Sequence, residues 1–572
     1  MIYLLLVLLL PTLGWCQGWG QWGQNSRHTG SATIVGQRAD KILSTLVIDP
    51  FVPKKVDDGE GDLYAHYPSP VVDGNDVFLM LEGGRYAACA EGADPCGPDA
   101  WNQLNWSVVR YSWSDQGTLD RQWTFQTDWT PVPAVVWEPV FHPVLAGDFV
   151  YAPGAGGSIW KLNRADGSVV GRISPFEGID PNTYVSGPLT ADDQGNIYYS
   201  VLRLNPVQPL TRDLVNAWLV RVGVDGTVAQ VTYASLTPGA PAAGDQCTLT
   251  FLNSQRPWPP SAAAMPGTGA CGSQRPGVNI SPAVGPDGTI YTLSRAHLNS
   301  RYSYLIAVNP DLTPKWISSL RGYLNDGCGV AIAYSNSGGC RDGAKRGVDY
   351  QTNDLPAGRL VDSASSTPVV APDGSILFGA YTSYNDQRGH LFHFDSMGAF
   401  LNSYDFGWDT TPTIWEHDGT YSIILKDNHY SGGPYFITQM NPDMKVEWQF
   451  QSTNTQSCIR KDDGTVSCSD ASETNPNGFE WCVNAAAVDA NGTVYVNSED
   501  GNLYVIGQGG VLQQRLFLNW ALGAAYTPLA LGPDGRIYTQ NAGTVFVIGT
   551  DPAATGSGVL RRKTGTSTGM AK

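Results

Sequence analysis

Two imidazoles, three carboxylates and a run of indoles recur at one kind of place in this chain: just ahead of, or at the start of, a short apolar run. His66 and Tyr67, Trp137 and Glu138, Tyr184 and Ser186, Asn279, Asp362 and Ser365, Trp408 and Asp409, Trp481 and Asn484, and Trp520 and Tyr526 stand there, and His142 opens such a run. Carboxylates and imidazoles exchange protons and hydrogen bonds, while indole and phenol faces stack on flat groups. Gathered by a fold, these residues would line a funnel able to hold a sugar, a peptide end or a cofactor. Other constellations are missing. The chain has no G-x-S-x-G elbow, no H-E-x-x-H and no Walker loop, and its eight histidines are scattered. The acidic stretch Asp57, Asp58, Glu60 and Asp62 misses the spacing of a calcium loop and reads as a solvated linker.

The elements that must gather those residues are legible from a repeat. Eight stretches share a Ser/Thr-Pro-like pair, a short apolar run, an Asp-Gly or Asn-Gly turn and an apolar-aromatic strand. They begin at Ser69, His142, Gly187, Ser281, Thr367, Thr411, Ala485 and Thr527, as in SPAVGPDGTIYTL and TPVVAPDGSILFG. Each is a β-hairpin by chemistry: proline opens the first strand where its missing N–H costs nothing, and the Gly supplies positive φ for a tight reversal. A second hairpin usually follows, as in WLVRVGVDGTVA. Four antiparallel strands per unit, at spacings from 42 to 94 residues, predict an all-β, eight-bladed β-propeller. The last copy lacks a fourth strand after TVFVIG, so KILSTLVID at residues 41–49 is expected to supply it and close the ring. The segment ahead of each innermost strand then lies at one mouth of the central channel, which is where the candidate residues stand.

Composition agrees. Lys and Arg (35) against Asp and Glu (52) leave a net charge of −17, and only 15% of residues are charged. Such a surface repels nucleic acid, and the low content of charged helix formers excludes helical bundles and coiled coils. The 65 Gly and 38 Pro belong to turns.

The first ten residues are almost wholly aliphatic and precede Gly14 and Cys16, the pattern of a secretory leader cut before Gln17 rather than of a membrane span. Residues 17–550 read as one propeller and 551–572, with Arg561, Arg562 and Lys563, as a disordered basic tail. Export fits the cysteines. Cys89 with Cys96, Cys247 with Cys271, Cys328 with Cys340 and Cys458 with Cys468 are neighbours inside loop-like insertions and are expected to pair, leaving Cys482 as a buried thiol.

The repeats with their PDGTIY turns, and the opening WGQWGQNSRHTG, resemble the quinoprotein (PQQ-repeat) alcohol dehydrogenase-like propellers. That resemblance implies a PQQ cofactor on a Trp floor beneath a ring of two adjacent cysteines, with Ca²⁺ held by carboxylate and amide oxygens. No Cys-Cys dipeptide occurs here, and the family's calcium set does not match any positions. The expectation is therefore a secreted or periplasmic, monomeric, non-catalytic binding or scaffold protein without cofactor, taking a polymer, glycan or protein at the funnel. The alternative is a PQQ- and Ca²⁺-dependent, or other metal-dependent, oxidoreductase acting on an alcohol or sugar.

Overall fold

A computed structural model describes residues 18–59, 61–87, 101, 103–133, 135, 137–324, 326–330, 340–382, 389–406, 410–429, 432–461, 463–468, 475–481, 485–520 and 527–550. The leader, Cys89, Cys96, Trp408, Asp409, Cys482, Asn484, Tyr526 and the basic tail lie outside those residues.

Eight antiparallel sheets follow one another in chain order, and together they are an eight-bladed β-propeller. Blade 1 spans 71–126, blade 2 144–173, blade 3 183–232, blade 4 274–319, blade 5 369–406, blade 6 413–451 and blade 7 487–517. Blade 8 takes three strands from 530–549 and its outer strand from Lys41–Val47. That strand pairs antiparallel with Thr544–Gly549, from Lys41 opposite Gly549 to Val47 opposite Thr544. The amino-terminal ribbon closes the ring as its apolar pattern requires.

The repeat has a local cause. In the PDG turns the Oδ1 of Asp287, Asp373 and Asp534 accepts from the N–H two residues on, at 2.9–3.0 Å. The tyrosine of the following strand can reach back to the same kind of carboxylate, as Tyr198 does to Asp192 (2.9 Å) and Tyr495 to Asp489 (3.2 Å). Tryptophans of outer strands then lock blade to blade. Trp123 of blade 1 donates to the Arg164 carbonyl of blade 2, and Trp316 of blade 4 to the Ser396 carbonyl of blade 5, both at 3.0 Å. Each ring lies so close to a turn glycine, Gly167 or Gly398, that an added Cβ would stand 2.6–2.7 Å from it.

Two insertions flank blade 4. The hairpin Gln246–Thr248 with Thr268–Ala270 is clipped by Cys247–Cys271, and Cys328–Cys340 staples the segment after the blade. The two are sewn together through Arg341 N–H to the Trp258 carbonyl (2.7 Å) and Phe251 N–H to the Gln351 carbonyl (2.8 Å). Cys458–Cys468 clips a third hairpin between blades 6 and 7.

The acidic stretch starts at the end of a short helix, and its Asp57 and Asp62 are exposed to solvent. Val52–Asp58 is a short helix with proline in its first turn, and it buries Val52 and Lys55 on one side. Their i, i+3 spacing puts both on the same face.

Candidate functional site

The hub of the ring is filled from one side by the opening segment. Residues 18–37 pass every blade in order. The innermost strands donate to it from Val72 to the Trp19 carbonyl (2.8 Å), Leu145 to Gly20 (2.9 Å), Val284 to Ser26 (2.7 Å), Val370 to Arg27 (3.0 Å), Ile414 to Thr29 (2.8 Å) and Val488 to Gly30 (3.0 Å). Gln21 serves blade 3 through its side chain, accepting from Ala191 N–H at 2.8 Å and donating to the Ala191 carbonyl at 3.0 Å. Gln37 N–H reaches the Gly535 carbonyl of blade 8 at 2.7 Å. The segment is a gasket that satisfies main-chain groups of all eight innermost strands or their turns. It needs positive φ at Gly23 and Gly30, where a Cβ would stand 2.7 Å from His28 and 2.8 Å from Thr413.

The gasket sends Trp22 and His28 into the hub. Trp22 meets the edge of His142, ring centres 5.7 Å apart. His142 donates from Nδ1 to the Pro143 carbonyl (2.6 Å), leaving Nε2 to accept from Ser69 Oγ (3.1 Å). His28 sits on the Pro368 carbonyl at 2.9 Å. Burial lowers both imidazoles to about 4, opposed by their carbonyl partners. The residues ahead of the repeated prolines line the hub and bond around it, as Ser281 with Thr190 (2.7 Å) and Thr367 N–H with Thr411 Oγ1 (3.1 Å). The Ser/Thr-Pro signal thus marks a satisfied polar core.

On the opposite, mouth side the candidate residues come together in pairs and bridges. Asn279, at φ 67° and fully buried, ties three neighbouring segments. Its N–H donates to the Ser186 carbonyl (2.7 Å), its Oδ1 accepts from Val140 N–H (2.9 Å) and its Nδ2 donates to the Ala364 carbonyl (3.4 Å). Buried Trp481 exchanges main-chain bonds with the Asn428 side chain and meets Tyr504 edge-on at 5.1 Å. His66 N–H donates to the Glu138 carbonyl at 3.2 Å, and the His66 ring lies 5.1 Å from that of Trp137. Trp137 and Tyr64, 5.4 Å apart, stay partly exposed.

Tyr67 and Glu138 belong to a buried ion cluster whose other members gave no motif. Lys55 Nζ donates to Asp49 Oδ2 (2.9 Å), Glu82 Oε2 (2.7 Å) and Glu138 Oε2 (2.6 Å), and Tyr67 OH donates to Asp49 Oδ2 (2.7 Å). Burial opposes the Lys55 charge, but the three carboxylates, Glu138 foremost, hold its pKa well above the ordinary value. Burial and mutual repulsion push the Glu82 and Glu138 carboxyls up, against the pull of the Lys55 charge. The signal that could have found Lys55 is its place on the apolar side of a short helix.

Asp362 anchors a cluster of opposite sign. It receives both Arg275 nitrogens (2.8 and 2.6 Å) and Arg295 Nη1 (3.2 Å). Burial would raise its pKa, but the two guanidiniums hold it far below the carboxylate range. Burial and Arg275 lower Arg295 to about 9. His297 accepts from Arg275 Nε (2.8 Å) and donates from Nε2 to the Arg212 carbonyl (2.8 Å), which locks it neutral.

No family model and no curated protein matches this chain. Its likeness is to solved propellers. The quinohemoprotein alcohol dehydrogenase of Comamonas testosteroni aligns over 94% of this chain and 81% of that one, at 12% identity and a TM-score of 0.49. A europium-containing methanol dehydrogenase aligns over 91% and 89%, at 11% identity and 0.47. BamB from Moraxella catarrhalis aligns over 89% and 99%, at 10% identity and 0.38.

Among the described residues, no set of side chains matches the quinone and calcium site that the sequence resemblance implies. Asp49, Glu82 and Glu138 do converge as calcium ligands would, but a lysine ammonium holds the centre. Among the described residues no other three His, Cys, Asp or Glu side chains are grouped to hold a metal ion. The adjacent cysteines are missing from the whole chain.

Proposed function

We propose that the protein is a binding propeller without catalysis of its own, working in an oxidising compartment outside the cytoplasm and presenting its funnel mouth to a glycan or a protein. The observation that carries this reading is the saturation of the mouth among the described residues: Asn279 and Lys55 spend their polar atoms on neighbouring segments. Acid and base groups so engaged among the described residues stabilise a scaffold. What faces outward is an aromatic rim, Trp137 with Tyr64 beside His66, a surface suited to stacking on a sugar ring or an apolar side chain. Three disulfides support the compartment. No helix among the described residues is long and apolar enough to cross a membrane.

The test has two arms. Depletion of the purified protein by insoluble chitin, cellulose and peptidoglycan is expected for at least one polymer, and Trp137→Ala should weaken it at least tenfold. In the second arm PQQ and Ca²⁺ are added before gel filtration. Quinone absorbance that travels with the protein, together with dye reduction by an alcohol or sugar, overturns the reading in favour of an oxidoreductase.

A further inference from the structure

The gasket face, opposite the mouth, carries a groove of about 320 Å³ between the opening segment and the turns of blades 1–3. A smaller cavity of about 110 Å³ continues it through shared Asn25, Asp192 and Asp193. Among the described residues the groove's lining cation, Arg164, is already engaged, 2.5 Å from Asp73 and 3.8 Å from Asp76, and Arg27, which lines the smaller cavity, pairs with Glu416 at 3.1 Å. Asp192 accepts from Asn196 Nδ2 (2.7 Å) and Tyr198 OH (2.9 Å), and Asp193 stands exposed at the rim. Gln24 supplies a second, independent sign of a ligand. It is 5% exposed and holds a left-handed backbone (φ 76°); its Nε2 lies 3.4 Å from the Gly18 carbonyl, and its Oε1 has no hydrogen-bond partner among the described residues. Buried acceptors are normally paired. A wall carrying the unpaired Gln24 acceptor and the exposed Asp193 carboxylate suits a cation rich in donors, and guanidinium carries five N–H donors in a planar fork.

The chain itself carries such a group within reach. It leaves blade 8 at Thr550, whose N–H donates to Gln37 Oε1 at 3.0 Å, on this same face. Gln37 also holds the turn carbonyls of Asp534 and Gly535. That turn adjoins the groove: a Cβ on Gly532 would stand 3.5 Å from Val72, and Val72 with Asp73 lies against Gly18 at the groove's edge. Ten residues then lead to Arg561, Arg562 and Lys563. Fully extended, ten residues span roughly 33–36 Å, ample for a groove one blade away.

We propose that this groove is an arginine-binding site and that Arg561 and Arg562 of the same chain fill it. The probe is a fluorescent peptide, acetyl-VLRRKTG, titrated against the full chain and against the full chain bearing Arg561→Ala, Arg562→Ala and Lys563→Ala. The triple variant is expected to bind the peptide, and the native chain at least tenfold more weakly, because its own tail competes. In the triple-variant background Asp193→Asn and Gln24→Met should each weaken binding at least fivefold, and acetyl-VLEEETG should not bind. Asp193 is exposed, so its variant keeps the fold even where Gln24→Met does not. Failure of the triple variant to bind overturns the site. Equal binding to both chains overturns the tail as its occupant, and an Asp193→Asn variant that binds undiminished places the peptide elsewhere.

Discussion

The two faces of the hub are sealed by different physics. On the gasket face a single segment makes main-chain bonds to seven blades and holds blade 3 through the Gln21 side chain. On the mouth face, side chains from separate segments do the work: Asn279 bridges, Lys55 gathers three carboxylates, and Asp362 gathers two guanidiniums. Main-chain bonds depend little on pH or on side-chain identity, whereas a buried ion cluster is stable only while every partner is present. Substitutions should therefore be tolerated along much of the gasket and punished at a few mouth positions.

The largest effect should come from removing residues 18–47, which strips the gasket and leaves the outer strand of blade 8 missing. We expect no cooperative unfolding transition by calorimetry, since the final blade is left with an open edge. A native-like transition in that variant would show that the blades hold one another without the ribbon. Next comes Lys55→Met, which leaves three buried carboxylates without a cation. A loss of about 3–5 kcal/mol at pH 7 is expected from denaturant unfolding. The sign with pH follows from the raised Glu82 and Glu138 carboxyls. The unfolded chain ionises them first, so stability falls as pH rises above the ordinary glutamate value, and the variant should be firmer at pH 5 than at pH 7.

The hub histidines act in the opposite sense. His28 and His142 lie near 4 when folded and near 6.5 when unfolded. Between those values the unfolded chain binds the proton, so stability falls as pH drops from about 6.5 to about 4, by on the order of 3 kcal/mol for each histidine. Thermal melts from pH 7.5 to 4.5 should show that decline, and His142→Gln should flatten it. A curve unchanged by the substitution would mean that His142 is hydrated in the hub. The smallest effect is expected from Cys458→Ser with Cys468→Ser. That hairpin lies outside the ring, so the melting temperature should hold within a degree or two, while limited proteolysis between blades 6 and 7 speeds up severalfold.

Much of this architecture could be read from residue order because its causes are local. An Asp-Gly turn closes a hairpin through bonds two residues apart, and proline opens the strand through its own ring, so eight copies announce eight blades. The unpaired last copy and the unclaimed KILSTLVID pointed to each other by strand arithmetic. The candidate site was legible in part. Position ahead of each innermost strand sets His66 beside Glu138, and Asn279 against the neighbouring mouth segments. It could not show that Asn279 would bond Ala364 or that His142 Nε2 would meet Ser69, because those partners lie 85 and 73 residues away.

Turn chemistry, strand alternation and repeat spacing, all short-range, were enough to specify an eight-membered ring and its means of closure. The company each charge keeps was decided in space. Lys55 meets Glu82 and Glu138, 27 and 83 residues distant, and Gln37 meets Asp534 from the other end of the chain. Such encounters exist only once the ring has closed, since electrostatic energy depends on separation through the fold and on lost water, neither of which is written in any stretch of neighbouring residues.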